Sequence, residues 1–408
     1  MTPTEIPPNR FIGLDVHKHY LIAIGVDEDL NQVLGPQRVE LSRLEKWMTN
    51  TLCKEDAVVL EMTTNTWQLY EELLPHVGSV MVVHPPHVAL ITRAQVMTDK
   101  KAASILARLH AKGLLVGIWV PPKDVQELRA LIAHRNKMTR LATQAKNRLH
   151  AILHRGHIQP PEGNLFHEDQ RDWWLELELS PAKRTSLLCD LEVLDFAQQQ
   201  MARIETTLKE LAAEDQRVPR LIQLPGFSLI NALTLLGAIG EITRFPSPKK
   251  LVGYAGLGGR VHDSGLTSRR GRITKAGRRD LRTAMVQAAQ TAANTHPHWK
   301  AELERLKPRL GRNKAIVAIA RKLLVSVWYV LNKEAPDRFA EPELVARKLM
   351  QYAYILGKAH RPASQSTTQY VRYHLDRLGL GANLTEVPWG TKKKPLSLPP
   401  STLLQNSK

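Results

Sequence analysis

The feature that most constrains this chain is an apolar strand pattern broken by a carboxylate. The run FIGLDVHKHYLIAIGVDED, starting at Phe11, reads as two core strands of a β-hairpin with Asp15 inside the first. A carboxylate among apolar strand residues is costly to bury unless it is paired or ligates a cation, so Asp15 is either a site residue or a strand-end Asp capping a turn. The arrangement recurs in AVVLEMTTNTWQLYEEL: a buried strand from Ala57 to Leu60, Glu61 at its end, then a helical pattern carrying Trp67, Leu69, Tyr70 and Leu73. A third apolar run, Ser79 to Val83, ends in the loop His84-Pro85-Pro86-His87, and a helical segment follows from about Val88. Thr98-Asp99 opens another helix with Ile105, Leu106 and Leu109 on its apolar stripe. Strands alternating with helices predict an α/β layer, and ligands of such sheets collect at strand ends, where these acids fall. Asp99 alone reads as an N-cap. Together, Asp15, Glu61 and Asp99 suit Mg²⁺, which takes oxygen ligands and leaves positions for phosphate oxygens and water.

The remainder is helical and basic. A long helix is expected from Asp124 to about Arg155, apolar on one face through Leu128, Leu131, Met138, Leu141 and Ala145. From Arg129 onward it carries Arg129, Arg135, Lys137, Arg140, Lys146, Arg148 and Arg155 and no acid. A helix without acids forgoes the i,i+4 pairs of an ordinary solvated face, which favours contact with a nucleic-acid backbone. Pro160-Pro161 breaks the pattern. A second long helix, Ala182 to Glu214, repeats apolar residues at threes and fours and predicts an antiparallel arm or coiled coil, either packed within one subunit or joining two. Leu221 to Phe245 reads as helix, Pro225-Gly226 turn and apolar helix to Ile239, like a helix-hairpin-helix whose turn offers N–H groups to phosphates.

Next comes GYAGLGGRVHDSGLTSRRGRITKAGRRDLR, Gly253 to Arg282. Ser264 lies there in a turn bounded by Gly256, Gly258, Gly259 and Gly265, beside Arg260, Arg269, Arg270, Arg272, Lys275, Arg278, Arg279 and Arg282. Those cations suit a polyanion, and a serine hydroxyl can receive a phosphodiester, although Ser-Gly is also an ordinary turn pair. Helices are expected from about Lys275 to Thr291 and from Asn313 to Lys333, and the tail beyond about Gly357 is expected to be largely flexible with Trp389 docked. The expected segments are 8–125, 126–217, 218–340 and 341–408.

Charge sets the partner class. With 57 Lys+Arg against 39 Asp+Glu, the net charge is +18, which favours nucleic acid over membrane surfaces. No apolar run reads as a membrane span, and MTPTEIPPNR lacks the features of a signal peptide, so a soluble, cytoplasmic protein associated with the nucleoid is expected. Cys53 and Cys189 lack CxxC spacing, which argues against zinc and a disulfide framework and for buried thiols.

The combination of GLDVHK, VVLEMTTNTW and TDKKAA with LPGFSLINALTLLGAIG, YAGLGGRVHDSG and ITKAGRRDLRTAMVQAA resembles the DEDD transposases of the insertion-sequence 110 family, over about Phe11 to Lys333. The resemblance implies an α/β plus all-α chain: an N-terminal RuvC-like (RNase H-like) domain, central long helices, and a mainly helical C-terminal domain bearing a catalytic serine. It implies Asp15, Glu61 and Asp99 as metal ligands for Mg²⁺, with Mn²⁺ as the alternative ion, and Ser264 as nucleophile, delivered from another subunit of a dimer or tetramer. The implied reaction is strand exchange between donor and target double-stranded DNA, guided by a structured noncoding bridge RNA from the element. Met62-Thr63-Thr64 departs mildly from the family's small-Thr-Gly turn. More seriously, Ala102 stands where the family's fourth acid belongs. A metal-only RuvC-like junction resolvase and a catalytically silent nucleic-acid-binding protein are the competing readings.

Overall fold

The computed structural model describes residues 8–92, 98–264, 267–361 and 365–396. Its contacts divide the chain into two units, Met1–Pro121 and Pro122–Lys408.

The first unit is built on a five-stranded sheet. Strands β1 (Arg10–Val16), β2 (Tyr20–Val26) and β3 (Gln32–Glu40) form an antiparallel meander. After helix α1 (Leu44–Thr51), β4 (Asp56–Glu61) pairs parallel with β1; after α2 (Thr66–Leu73), β5 (Ser79–Val83) pairs parallel with β4. The strand order is therefore β3-β2-β1-β4-β5. Strand β3 has no counterpart in the sequence reading. It contains Gly35 and Pro36 and few apolar residues, and its place at the sheet edge explains how it tolerates a proline.

Register is pinned at the start of the parallel pair. Arg10 and Asp56 are partners in the ladder, and the Arg10 guanidinium donates to both Asp56 oxygens at 2.7 Å. The Cys53 amide adds a third bond to that buried carboxylate at 2.8 Å. Leu14 then lies opposite Leu60, so the next residues, Asp15 and Glu61, follow on adjacent parallel strands near their C-terminal ends, still paired outward with Ile22 of β2 and Val83 of β5.

Helices cover both sheet faces. Leu14, Leu21 and Leu60 pack with Met48 of α1 and with Leu69 and Leu73 of α2. On the other face lie α3 (Pro85–Thr92) and α4 (Asp99–Ala111), whose Ala103 meets Ile22 and Ile24 and whose Leu106 meets Val59. Helix α4 comes unusually close because β1 has a glycine beneath it: a Cβ on Gly13 would lie 2.1 Å from the Ala103 carbonyl oxygen and 2.6 Å from the Ala107 nitrogen.

Among the described residues, the second unit is helical apart from two hairpins. Helices α5 (Lys123–Gly156) and α7 (Pro181–Glu214), each 34 residues long, form an antiparallel hairpin joined through the short α6 (Arg171–Glu176). Arg148 meets Asp190 and Arg135 meets Glu205, so sequence positions climb on one helix as they fall on the other. The hairpin has a core of its own, running from Ala142, Leu149 and Leu153 to Leu187, Leu191 and Leu194, with Trp174 buried at the connecting end. The apolar stripe of α7 is thus covered within one subunit. Cys189 falls on the outward side of α7 and Cys53 in the approach to β4; both thiols are exposed, contrary to expectation.

A larger core follows, made by α8 (Arg217–Ile222), α9 (Leu229–Ile239), α10 (Pro248–Tyr254), α11 (Arg279–Thr295), α12 (Pro297–Leu310), α13 (Arg312–Lys333), α14 (Pro342–Leu356) and α15 (Thr367–Arg377). The hairpin of β6 (Gly259–Ser264) and β7 (Thr267–Ile273) sits between α10 and α11 in the chain, where the sequence suggested a turn leading into a helix. Residues expected to be loose beyond Gly357 instead supply α15 and the pair β8 (Glu386–Trp389) and β9 (Lys392–Pro395). Tyr370, Val371, Leu375 and Val387 join the main core, and the Trp389 ring lies 5.1 Å from that of Tyr354. Among the described residues, α13 alone is long and apolar enough to cross a membrane by length and composition. Its Ile319, Leu323, Leu324 and Val327 are buried in this core.

Candidate functional site

Three elements bring the first site together. Strand β1 carries Asp15 at its end, β4 carries Glu61, and α4 supplies Asp99 from its first turn. Thr98, not Asp99, caps that helix: its hydroxyl accepts from the Lys101 amide at 3.3 Å. This leaves the Asp99 carboxylate free for another task. Its Oδ2 accepts a hydrogen bond from the Tyr20 hydroxyl at 2.9 Å, and the bond raises the phenol's pKa.

The acids repel one another. Burial raises the pKa of Asp15; His17 acts in the opposite direction, and the charge on Asp99 raises it again. Burial and then the Asp15 charge likewise raise Glu61. A half-buried carboxylate whose ionisation is further disfavoured by a neighbouring carboxylate, as at Asp15 and Glu61, calls for a cation.

His17, which the sequence reading passed over, is the fourth member. Its Nε2 lies 3.3 Å from Asp15 Oδ2 and 3.3 Å from Asp99 Oδ2. That nitrogen is shut off from solvent yet makes no well-formed hydrogen bond. One donor atom each from Asp15, His17 and Asp99 lies within 4.8 Å of the others, a grouping that can hold a metal ion. The signal for His17 was its spacing: two residues beyond Asp15, it falls on the same side of an extended chain. Ala102 lies one turn along α4 from Asp99, half-buried, and contributes no donor.

Ser264 is the last residue of β6, exposed and paired with Thr267 of β7. Gly265 lies outside the described residues. Of the other glycines expected to permit unusual backbone, Gly256 has a positive φ of 66°, where an added Cβ would lie 2.6 Å from the Ala276 carbonyl oxygen. That close approach closes the base of the hairpin. Arg260, Arg269, Arg272, Lys275 and Arg279 are exposed around it. The position of Arg270 opposite Val261 is described, but its side chain is not. Arg278 is engaged by Asp280: burial lowers the guanidinium's pKa but the hydrogen bond and charge of Asp280 together raise it, and burial raises the Asp280 carboxyl while Arg278 holds it low.

The cations of α5 divide into two groups. Arg129 donates to the Gly237 carbonyl at 2.6 Å and the Ala238 carbonyl at 3.2 Å, tying α5 to the end of α9. Arg135 and Arg148 pair with Glu205 and Asp190 of α7, so the acids missing from α5 beyond Arg129 are supplied by its neighbour. Lys146 lies 4.8 Å over the Phe166 ring. Lys137 and Arg140 are exposed.

Known proteins place these residues in context. Residues 12–158 match a family model for DEDD transposases of the IS110 type, and residues 218–304 match one described as transposase, IS116/IS110/IS902 family. The chain is 23% identical over 337 residues to the transposase for insertion sequence element IS1111A of Coxiella burnetii, covering 81% of this chain and 91% of that protein. It is 25% identical over 343 residues to the pilin gene-inverting protein of Moraxella bovis, covering 80% and 97%. To the transposase for insertion sequence element IS1328 of Yersinia enterocolitica it is 23% identical over 332 residues, covering 80% and 98%.

Proposed function

This chain belongs to the IS110 family of transposases, and from that premise we propose that it recombines DNA by serine attack on a phosphodiester, assisted by a divalent metal and directed by a guide RNA. The family makes it a DNA-recombining enzyme that binds DNA. The observation that carries the finer reading is the meeting of Asp15 of β1 with Asp99 of α4 around His17, with Glu61 on the adjacent parallel strand close enough for the Asp15 charge to raise its pKa. This convergence on a layered α/β sheet supports a RuvC-like reading of the first unit.

Asp15, Glu61 and Asp99 would hold Mg²⁺, or Mn²⁺ in its place. Such an ion, when bound, neutralises charge growing on phosphoryl oxygens. Ser264 Oγ attacks the scissile phosphorus and gives up its proton to solvent; the P–O bond to one sugar oxygen breaks, that oxygen takes a proton from solvent and departs as a free sugar hydroxyl, and the chain becomes linked to DNA as a phosphodiester of serine. That linkage conserves the bond energy, so rejoining to a new strand needs no nucleotide cofactor. The exposed cations around Ser264 contact phosphates, while base pairing by the element's RNA reads the sequence. Action would take place in the cytoplasm, on nucleoid DNA, by a homo-oligomer that supplies Ser264 from another subunit.

The test is direct. The chain is incubated with its copurifying RNA, donor and target DNA and Mn²⁺, then denatured and digested. A DNA-linked peptide containing Ser264 is expected. Cleavage without any covalent adduct would instead favour a metal-only nuclease.

A further inference from the structure

We propose that His17 is itself a ligand of the divalent ion in this chain, occupying the role of the carboxylate that Ala102 lacks. The inference rests on the reading that Asp15, Glu61 and Asp99 hold a metal, and it adds a nitrogen donor to that set.

The geometry carries it. Around an ion whose ligands stand about 2.1 Å away, adjacent corners of an octahedron are about 3.0 Å apart and opposite corners about 4.2 Å. The His17 nitrogen is 3.3 Å from one oxygen of each aspartate, and the three-atom group fits within 4.8 Å. These are the separations of ligands sharing one ion, drawn out slightly. The nitrogen is also buried and makes no well-formed hydrogen bond, facing only the two aspartate oxygens with which it would share the ion.

The ring is held in place from two sides. Past the end of β1 the chain turns sharply, with the His17 amide donating to the Tyr20 carbonyl at 2.9 Å. This stacks the imidazole on the Tyr20 ring, with centroids 4.6 Å apart and planes 26° from parallel. The Arg38 guanidinium lies 3.7 Å from the centre of the Tyr20 ring, and the Tyr20 hydroxyl reaches Asp99. Tyr20 is therefore a positioning residue that orients a histidine and an aspartate at once, as supporting residues around metals do.

A nitrogen donor has a chemical consequence. Mg²⁺ prefers oxygen, whereas Mn²⁺, Co²⁺ and Zn²⁺ accept imidazole readily, so this chain should favour Mn²⁺ over Mg²⁺ more than an all-carboxylate site would.

The competing role for His17, a cation that neutralises the aspartates, predicts the opposite sign on removal. Losing a ligand weakens metal binding; losing a competing positive charge strengthens it. Mn²⁺ titration of the full chain by electron paramagnetic resonance reads the affinity, and pulsed measurements read nitrogen coupling to the bound ion. The unaltered chain should bind Mn²⁺ with imidazole nitrogen coupling, a result that requires no variant to fold. His17→Ala should lose that coupling and bind at least roughly tenfold more weakly. Adding Ala102→Asp to that variant should recover binding of Mg²⁺ along with Mn²⁺. If the unaltered chain binds Mn²⁺ without nitrogen coupling, or His17→Ala binds as well or better, His17 is no ligand while the carboxylate site stands. If the unaltered chain binds no divalent ion, both the site and the inference fall.

Discussion

Replacing Gly13 with alanine probes how the first site is assembled without touching any of its donors. The added methyl would lie 2.1 Å from the Ala103 carbonyl oxygen and 2.6 Å from the Ala107 nitrogen, both backbone atoms of α4 that cannot swing aside. Ordinary contact begins near 3.4 Å, so α4 must retreat from β1 by more than an ångström. Overpacking of this kind costs about 1–3 kcal/mol, and a loss of about 2 kcal/mol lowers the melting temperature of a unit this size by about 8 °C. The same retreat carries Asp99 away from Asp15. Misplacement by roughly an ångström is enough to loosen a preorganised site, so Mn²⁺ affinity should fall along with stability. Calorimetry with and without Mn²⁺ measures both quantities, with Gly35→Ala as control, because its nearest neighbour is a flexible Gln32 side-chain nitrogen at 3.9 Å. A Gly13→Ala protein that melts unchanged and binds Mn²⁺ unchanged would refute the claim that glycine lets α4 deliver Asp99.

Other expectations concern chemistry and charge. Ser264→Ala should abolish covalent protein–DNA adducts on denaturing gels while leaving DNA binding nearly intact, because one hydroxyl is lost from an interface dominated by cations. Reversing the exposed Arg140 together with Lys146 should weaken RNA binding and flatten its salt dependence by about 0.7–0.9 per lost phosphate contact, measured by filter binding at several salt concentrations. Reversing Arg148 as well should also loosen the arm through Asp190, visible as a lower melting temperature. Glu302, paired with Arg305 and Lys322, has its pKa lowered to about 2 by those hydrogen bonds. A depressed carboxylate stabilises the fold above its unfolded value of about 4.5, and the stabilisation is lost as pH falls through about 2. Glu302→Gln should therefore cost about 1 kcal/mol at pH 7 and almost nothing at pH 2, as read by urea unfolding at the two pH values.

What the sequence made legible follows from how each signal is encoded. Asp15, Glu61 and Asp99 each interrupt an apolar pattern at an element end, and a carboxylate in that position is conspicuous without any neighbour. His17 was not, because HKH after a strand reads as an ordinary polar turn; its value appears only when α4 folds back over the sheet. The stretch of α5 from Arg129 onward, which lacks acids, shows the same limit from the other side. Absence of acids along one helix said nothing about Glu205 and Asp190, which approach from a helix some 40 to 70 residues away in sequence. Strand β3 escaped notice because an edge strand with Gly35 and Pro36 lacks an apolar run. Segment 365–396 looked loose because its buried apolar residues, Tyr370, Val371, Leu375, Leu378, Val387 and Leu396, are sparse among charges. Ser264 drew attention as a serine in a glycine-bounded turn beside cations, but the hairpin that carries it was hidden by glycines and arginines, which have little strand preference.

The α5–α7 hairpin can finally be considered as a mechanical part. A helix of 34 residues is about 51 Å long. Near its root, α5 is fastened by Arg129 to the end of α9, and Ile132 packs in the main core, while Trp174 closes a separate core toward the far end. A beam anchored at one end and internally stiff converts rotation at its root into travel at its tip: about 5° at Arg129 becomes roughly 4 Å at the connecting segment. Arg129 is therefore a pivot bolt, and shortening it to lysine would add play where leverage is greatest.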